Sequence, residues 1–152
     1  YPGVISNGTL PGGGTTVYAV EIYYEAVKSN SYVSPLKKGT FLDMMYMPDA
    51  VKAAIELMEA DPSSLKHRNC FNITAMSIDP ETIANSIRKF SPGFELKYDP
   101  EKVKQEIADS WPNSLDDSAA REEWGWNPDF KLDDMTEDML KAVKKKYEKN
   151  LI

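Results

Sequence analysis

The chain is poor in the residues that build metal sites and cross-links. It holds one cysteine, Cys70, and one histidine, His67. A single thiol cannot close an internal disulfide, and one thiol with one imidazole gives no zinc-ligand spacing, so a disulfide scaffold and zinc chemistry are excluded. No apolar run approaches the roughly 18 residues that a membrane-spanning helix needs, and no signal peptide opens the chain. Positive charge is in deficit: 24 acidic residues against 18 basic ones leave a formal net charge of −6. That balance disfavours a nucleic-acid backbone or an anionic membrane as partner. Internal repeats, low-complexity tracts and interdomain linkers are also lacking.

What is present is enough for one domain: 152 residues, 41% of them hydrophobic. The opening Tyr1-Pro2-Gly3-Val4-Ile5-Ser6 reads as a strand entered midway, which predicts a processed or shortened chain. A glycine-rich loop over 7–14 leads into a helix predicted over 15–28, with Thr15 and Thr16 as caps and Val20, Tyr23, Tyr24 and Val27 at helical spacing. Extended segments are predicted at 32–36 and 41–47, separated by a turn at Lys37-Lys38-Gly39. The next helix runs over 48–59 with an apolar stripe of Val51, Ala54, Ile55 and Met58. Cys70 to Ala75 alternates as a strand that would bury an inert Cys70. Asp79-Pro80 and Asp99-Pro100 are both helix starts, the first leading to Ile83, Ile87 and Phe90 and the second to Val103 and Ile107. A short strand, 94–98, lies between them. A short helix from Asp117 or Ser118 to Trp124 stops at Gly125. The last helix, over 133–149, is acidic at its start and lysine-rich at its end, as the helix dipole favours. A solvated face explains those lysines better than a nucleic-acid tail does.

The strongest local signal for chemistry is Pro11-Gly12-Gly13-Gly14-Thr15-Thr16. Glycines let the backbone approach a ligand, and the helix that follows offers free N–H groups beside two hydroxyls, a site suited to a carboxylate or phosphate. No lysine follows the glycines as in a Walker loop, and Val17 takes the place of the last glycine of a dinucleotide fingerprint. A flexible loop before an ordinary capped helix explains the same residues equally well. Two Tyr-x-x-x-Lys pairs occur, Tyr24 with Lys28 and Tyr98 with Lys102, where composition predicts about one by chance. Met44-Met45-Tyr46-Met47 reads as core filler before ligand wall, and Trp111 as either a pocket lid or a core anchor. Asp116-Asp117 reads as a pair of caps and His67 as solvated. The Asn-x-Thr triplets at Asn7 and Asn72 arise readily by chance.

In order, Tyr-Pro-Gly-Val-Ile-Ser at 1–6, Pro-Gly-Gly-Gly-Thr-Thr-x-Tyr-Ala at 11–19, Met-Met-Tyr-Met-x-Asp at 44–49 and Ala-Asp-Ser-Trp-Pro at 108–112 form one pattern. With Leu-Asp-Asp-Ser-x-Ala-Arg at 115–121 and Trp-Gly-Trp at 124–126, the chain resembles the C-terminal part of L-threonine 3-dehydrogenases of the extended short-chain dehydrogenase type related to UDP-galactose 4-epimerase. The zinc-dependent threonine dehydrogenases are a different family.

The resemblance implies an α/β fold, in which residues 1–152 are the C-terminal substrate-binding lobe and 1–6 the end of a Rossmann strand near the nicotinamide. The N-terminal Rossmann half, with its NAD loop and catalytic Ser/Thr, Tyr and Lys, is not in this sequence. The family's Tyr-x-x-x-Lys precedes the Tyr-Pro-Gly segment, so Tyr24 and Lys28 are not its counterpart and no catalytic residue is expected here. Carried over by motif, Pro2, Gly3 and Val4 would meet NAD, Gly14, Thr15 and Thr16 would hold the amino-acid end of L-threonine, and Trp111 would close the pocket. The implied reaction is oxidation of L-threonine to 2-amino-3-oxobutanoate by a complete enzyme, a homodimer in the cytoplasm or the mitochondrion, with this chain inactive alone. Two rivals stand beside it: a sugar-nucleotide epimerase or dehydratase, which needs basic groups for a diphosphate, and a non-enzymatic module that binds a small carboxylate.

Overall fold

A computed structural model describes residues 1–8 and 10–149. Thr9, the third residue of the triplet at Asn7, lies outside the described residues. Two small sheets carry the strands. In the first, β1 (Gly3–Ile5) pairs in parallel with β3 (Leu42–Tyr46), and β3 pairs antiparallel with β4 (Met76–Ile78). In the second, β2 (Ser31–Ser34) runs parallel to β5 (Glu95–Tyr98). Six helices surround them: α1 (Tyr18–Ser29), α2 (Met47–Glu59), α3 (Pro80–Phe90), α4 (Lys102–Asp109), α5 (Ser118–Trp124) and α6 (Leu132–Glu148). None of the described helices is long and apolar enough to cross a membrane.

The main core lies where α1, α3 and α6 meet the sheets, around Ile22, Tyr23, Ile83, Ile87, Met139 and Val143. One polar knot joins the three helices inside it. The Tyr23 hydroxyl lies 3.0 Å from Thr136 Oγ1, to which the Ser86 hydroxyl donates at 2.9 Å. Buried hydroxyls are tolerated when they satisfy one another in this way. A second core forms under β3, where Met45, Ala50, Ala53, Ile73, Ala120 and Trp126 pack together. The Trp126 indole donates to the Thr74 carbonyl at 3.0 Å, which fixes the ring in that layer. Met44 and Met45 are fully buried, so they are core filler as their setting predicts.

Several boundaries follow their local chemistry. The Asp79 carboxylate accepts from the Thr82 N–H at 2.8 Å and caps α3. Gly125 ends α5 with φ 76°, a left-handed conformation that glycine adopts without a Cβ clash. The expected helix over 15–28 opens instead as a tight 3-10 turn, Thr15–Val17, before α1. Gly14 sits at its cap position, and neither threonine supplies a side-chain cap. The alternating segment from Cys70 pairs only from Met76 onward, and Cys70 is exposed, not buried.

The stripe on α2 is the largest departure. Val51 (51% exposed), Ile55 (44%) and Met58 (78%) face solvent, and Ala54 is exposed with them. The helix buries Asp49, Ala50 and Ala53 instead. The Asp49 carboxylate accepts from the backbone N–H of Asp129 at 2.8 Å and of Phe130 at 3.2 Å, which turns the small-residue face toward the chain that follows Trp126. Periodicity marks an apolar face, but it does not say what covers it. On α4 the same inversion leaves Val103 and Ile107 outside and buries Gln105, whose side chain accepts from the Lys37 N–H at 2.8 Å.

Candidate functional site

Beside the open edge of β1 lies a cavity of about 550 Å³. Its floor is the start of the chain, Tyr1 to Val4, with Thr16 from the 3-10 turn on one side and Asp43 from β3 on another. Trp111, Pro112 and Leu115, from the segment between α4 and α5, complete the wall. The structure therefore brings together five residues that the sequence pattern marks: Pro2, Gly3, Val4, Thr16 and Trp111. Gly14 and Thr15 do not line the cavity. Gly14 is exposed with extended backbone, φ −79° and ψ 166°, and its carbonyl closes the turn by accepting from the Val17 N–H at 3.2 Å. The glycines of this loop are thus not used for positive φ.

Gly3 is required for another reason. A Cβ added there would lie 2.5 Å from Met44 Sδ and 3.1 Å from Thr16 Cγ2. Only glycine lets β1 press against β3 and the 3-10 turn together, and that close packing sets Thr16 beside Pro2 to Val4. Trp111 is 44% exposed, which fits a lid over the cavity and not a core anchor.

Asp43 is the cavity residue that motif reasoning misses. It is 7% exposed in the middle of a strand buried throughout. One carboxylate oxygen accepts from the Thr74 hydroxyl, and the other accepts from the Leu115 N–H at 2.9 Å. Across β3 and β4 its partner is Ser77, whose hydroxyl donates to the Asn113 carbonyl at 2.5 Å. This cross-strand pair holds the segment that carries Trp111 at two points. Burial pushes the Asp43 carboxyl above its usual range, against the opposing effect of its hydrogen bonds, and the charge of Asp117 adds to the rise. The signal was available in Leu42-Asp43-Met44-Met45-Tyr46: an acid inside an apolar strand must be hydrogen-bonded or functional, because burying it bare costs several kcal/mol.

Other candidates have structural roles. Tyr24 accepts from the Lys146 ammonium at 3.0 Å, while Lys28 pairs with Glu25 at 3.4 Å. Tyr98 donates to Glu81 at 3.0 Å. Neither Tyr-x-x-x-Lys pair lines the cavity. Asp117 takes Arg121 Nε at 2.8 Å and makes no side-chain cap, whereas Asp116 accepts from the Ser118 N–H at 3.0 Å. His67, expected to be merely solvated, lies with Nδ1 2.5 Å from Glu123. Among the described residues no group of three or more His, Cys, Asp or Glu could hold a metal ion.

Comparison with known proteins gives a consistent set of relatives. No family model matches the chain. An epimerase/dehydratase of Staphylococcus haemolyticus, itself uncharacterised, is 54% identical over 146 residues, which are 96% of this chain and 46% of the relative. The X-ray structure of L-threonine dehydrogenase from Clostridium difficile superposes with a TM-score of 0.93 at 55% identity, over 96% of this chain and 46% of that one. The holo form of a GalE-like L-threonine dehydrogenase from Cupriavidus necator gives 0.89 at 50% identity, over 95% and 46%. The chain thus spans a little under half the length of the relatives it matches. By sequence and by fold, the chain is similar to L-threonine dehydrogenases of the GalE-like, extended short-chain dehydrogenase type, and the match fits their C-terminal part.

Proposed function

We propose that residues 1–152 are the substrate-binding lobe of an NAD-dependent enzyme that oxidises L-threonine to 2-amino-3-oxobutanoate, with 1–6 as the end of the strand that meets the nicotinamide. The observation that carries this reading is the cavity itself, where the cofactor-side residues Pro2, Gly3 and Val4 meet the substrate-side residues Thr16 and Trp111. A cavity of about 550 Å³ suits a small amino acid with one ring of a cofactor against its wall.

The residues present fit part of NAD. Pro2 and Val4 are half-buried, apolar and uncharged, and offer a face for the nicotinamide; among the described residues of the cavity wall there is no basic group to hold a diphosphate. This chain therefore supplies a contact, and the dinucleotide site belongs to the half of the fold that the relatives carry beyond it. When bound, NAD supplies the acceptor for the hydride that leaves the substrate's Cβ. In this chain, Thr16 donates its hydroxyl to the substrate carboxylate, at the turn where a negative charge is also favoured by the N-terminal end of α1. Trp111 covers the bound amino acid and excludes water. The proton of the substrate hydroxyl goes to a base outside this chain, the tyrosine that the resemblance implies, so the chain alone should be inactive. A sugar-nucleotide substrate is disfavoured because, among the described residues, no lysine or arginine lines the cavity to meet a diphosphate. The resemblance further assigns a cytoplasmic homodimer, which fractionation and light scattering of the complete enzyme would check.

The test is NADH formation by the complete enzyme, that is, this chain with the N-terminal half of a relative. L-Threonine should support it, and UDP-sugars should neither react nor compete. UDP-sugar turnover without threonine oxidation would overturn the reading.

A further inference from the structure

An amino-acid substrate brings two charges into the cavity. A helix end and a hydroxyl serve the carboxylate, but the ammonium needs an acceptor, and a dry ammonium without one is strongly disfavoured. We propose that Asp43 is the group that receives the substrate ammonium, and so makes the site select amino acids over their deaminated analogues. This rests on the reading of the cavity as an amino-acid site.

Among the described residues that line the cavity, Asp43 alone has a side chain with a formal charge. It is 93% buried, yet its hydrogen-bond donors are all neutral: the Thr74 hydroxyl on one oxygen, the Leu115 N–H on the other, and the backbone N–H of Met44. Among the described residues no lysine, arginine or histidine pairs with it; the charge that acts on it is another acid, Asp117. Asp117 has a buried carboxylate oxygen with no hydrogen-bond partner among the described residues. Asp117 is paired with Arg121 through its other oxygen, so it is Asp43 that stands at this end of the cavity without a counter-ion. A carboxylate oxygen has room for more than one donor, so each Asp43 oxygen keeps acceptor capacity after its protein bond is made. Its elevated carboxyl is what burial without a cation produces, and an arriving ammonium would supply that cation. These existing bonds fix the carboxylate in place, so an incoming ammonium meets an acceptor already oriented.

A purely structural role for Asp43, pinning the Trp111 wall through Leu115, would make the same contacts. The two roles separate by substrate. The experiment compares kcat/KM for L-threonine and for 3-hydroxybutanoate, which keeps the hydroxyl and carboxylate but lacks the amino group, in the complete enzyme and its Asp43→Asn variant. Asparagine keeps an acceptor oxygen and the side-chain volume while removing the charge. The wild type should prefer L-threonine at least tenfold, and Asp43→Asn should cut threonine use by ten- to hundredfold, as loss of a charge-assisted hydrogen bond does. Use of 3-hydroxybutanoate should change by less than threefold. Parallel losses on both substrates would assign Asp43 to the wall alone and overturn the proposal. If the variant fails to fold, the wild-type ratio still decides: equal use of the two substrates would also overturn it. A wild type that oxidises neither overturns the amino-acid reading itself, a distinct result.

Discussion

A Cβ on Gly3 would sit 2.5 Å from the Met44 sulfur, closer than any real carbon approaches such an atom. Met44 is wholly buried, and Gly3 faces it directly in the β1–β3 register. Gly3→Ala must therefore push β1 away from β3 or force Met44 out of its place, and overpacking of this kind costs about 1–3 kcal/mol. Urea unfolding of the chain should show that loss. In the complete enzyme the same variant should raise KM for both NAD and threonine, because Gly3 joins the two sides of the cavity.

Thr16 can now be separated from a helix cap. The 3-10 turn at Thr15–Val17 is capped at Gly14 with no side-chain hydrogen bond. Thr16→Val should therefore leave the melting temperature of the chain close to wild type. In the complete enzyme it should lower threonine kcat/KM by roughly tenfold to a hundredfold, from the loss of about 1.5–3 kcal/mol in a hydrogen bond to a charged group. A fall in melting temperature with unchanged kinetics would make Thr16 a structural residue. Trp111→Ala should weaken threonine use in the same assay while leaving the affinity for NAD unaltered.

The exposed face of α2 predicts association. Val51, Ile55 and Met58 lie one helical turn apart along one side, with Met47 41% exposed at its start. Contiguous apolar surface of this kind marks an interaction site. The isolated chain should self-associate in sedimentation experiments, and Ile55→Lys with Met58→Lys should weaken that association at least tenfold, about 1.4 kcal/mol. Joining the N-terminal half should suppress it in the same way if that half covers α2.

Asp79-Pro80 and Gly125 were legible because a cap and a left-handed stop are local events decided within a few residues. Thr16 was legible from the loop chemistry and Trp111 as a lid or an anchor, and the resemblance chose between the readings of each; Gly14 and Thr15 of the same loop do not line the cavity. The α2 stripe was visible as a pattern but its direction was not, since Val51, Ile55 and Met58 look the same whether or not the chain contains what they pack against. Ile5, Met44 and Met45 look equally apolar and are fully covered. Asp43 and Glu123 could not be paired from sequence, because their partners Leu115 and His67 are 72 and 56 residues away.

Glu123 carries a pH dependence. Burial pushes its carboxyl up, but hydrogen bonds from the His67 N–H and ring and from the Lys66 N–H outweigh burial and hold it below its ordinary range. A depressed carboxyl contributes stability that is present above its unfolded value, near 4.3, and is lost as pH falls through the lower folded value. Glu123→Gln should therefore melt at a lower temperature than wild type at neutral pH. The difference should shrink as the pH is taken below about 4. A constant difference from pH 7 to pH 3 would show that the carboxylate's charge is not what holds the segment around His67.

The most direct measurement is threonine-dependent absorbance of NADH at matched protein concentration, made on the isolated chain and on the chain completed with an N-terminal half from the 55%-identical Clostridium difficile enzyme. The isolated chain should give no signal above the enzyme-free rate, and the completed protein should turn over L-threonine. Turnover by the rigorously purified chain alone would contradict the account, and so would a folded, NAD-binding completed protein that leaves threonine untouched.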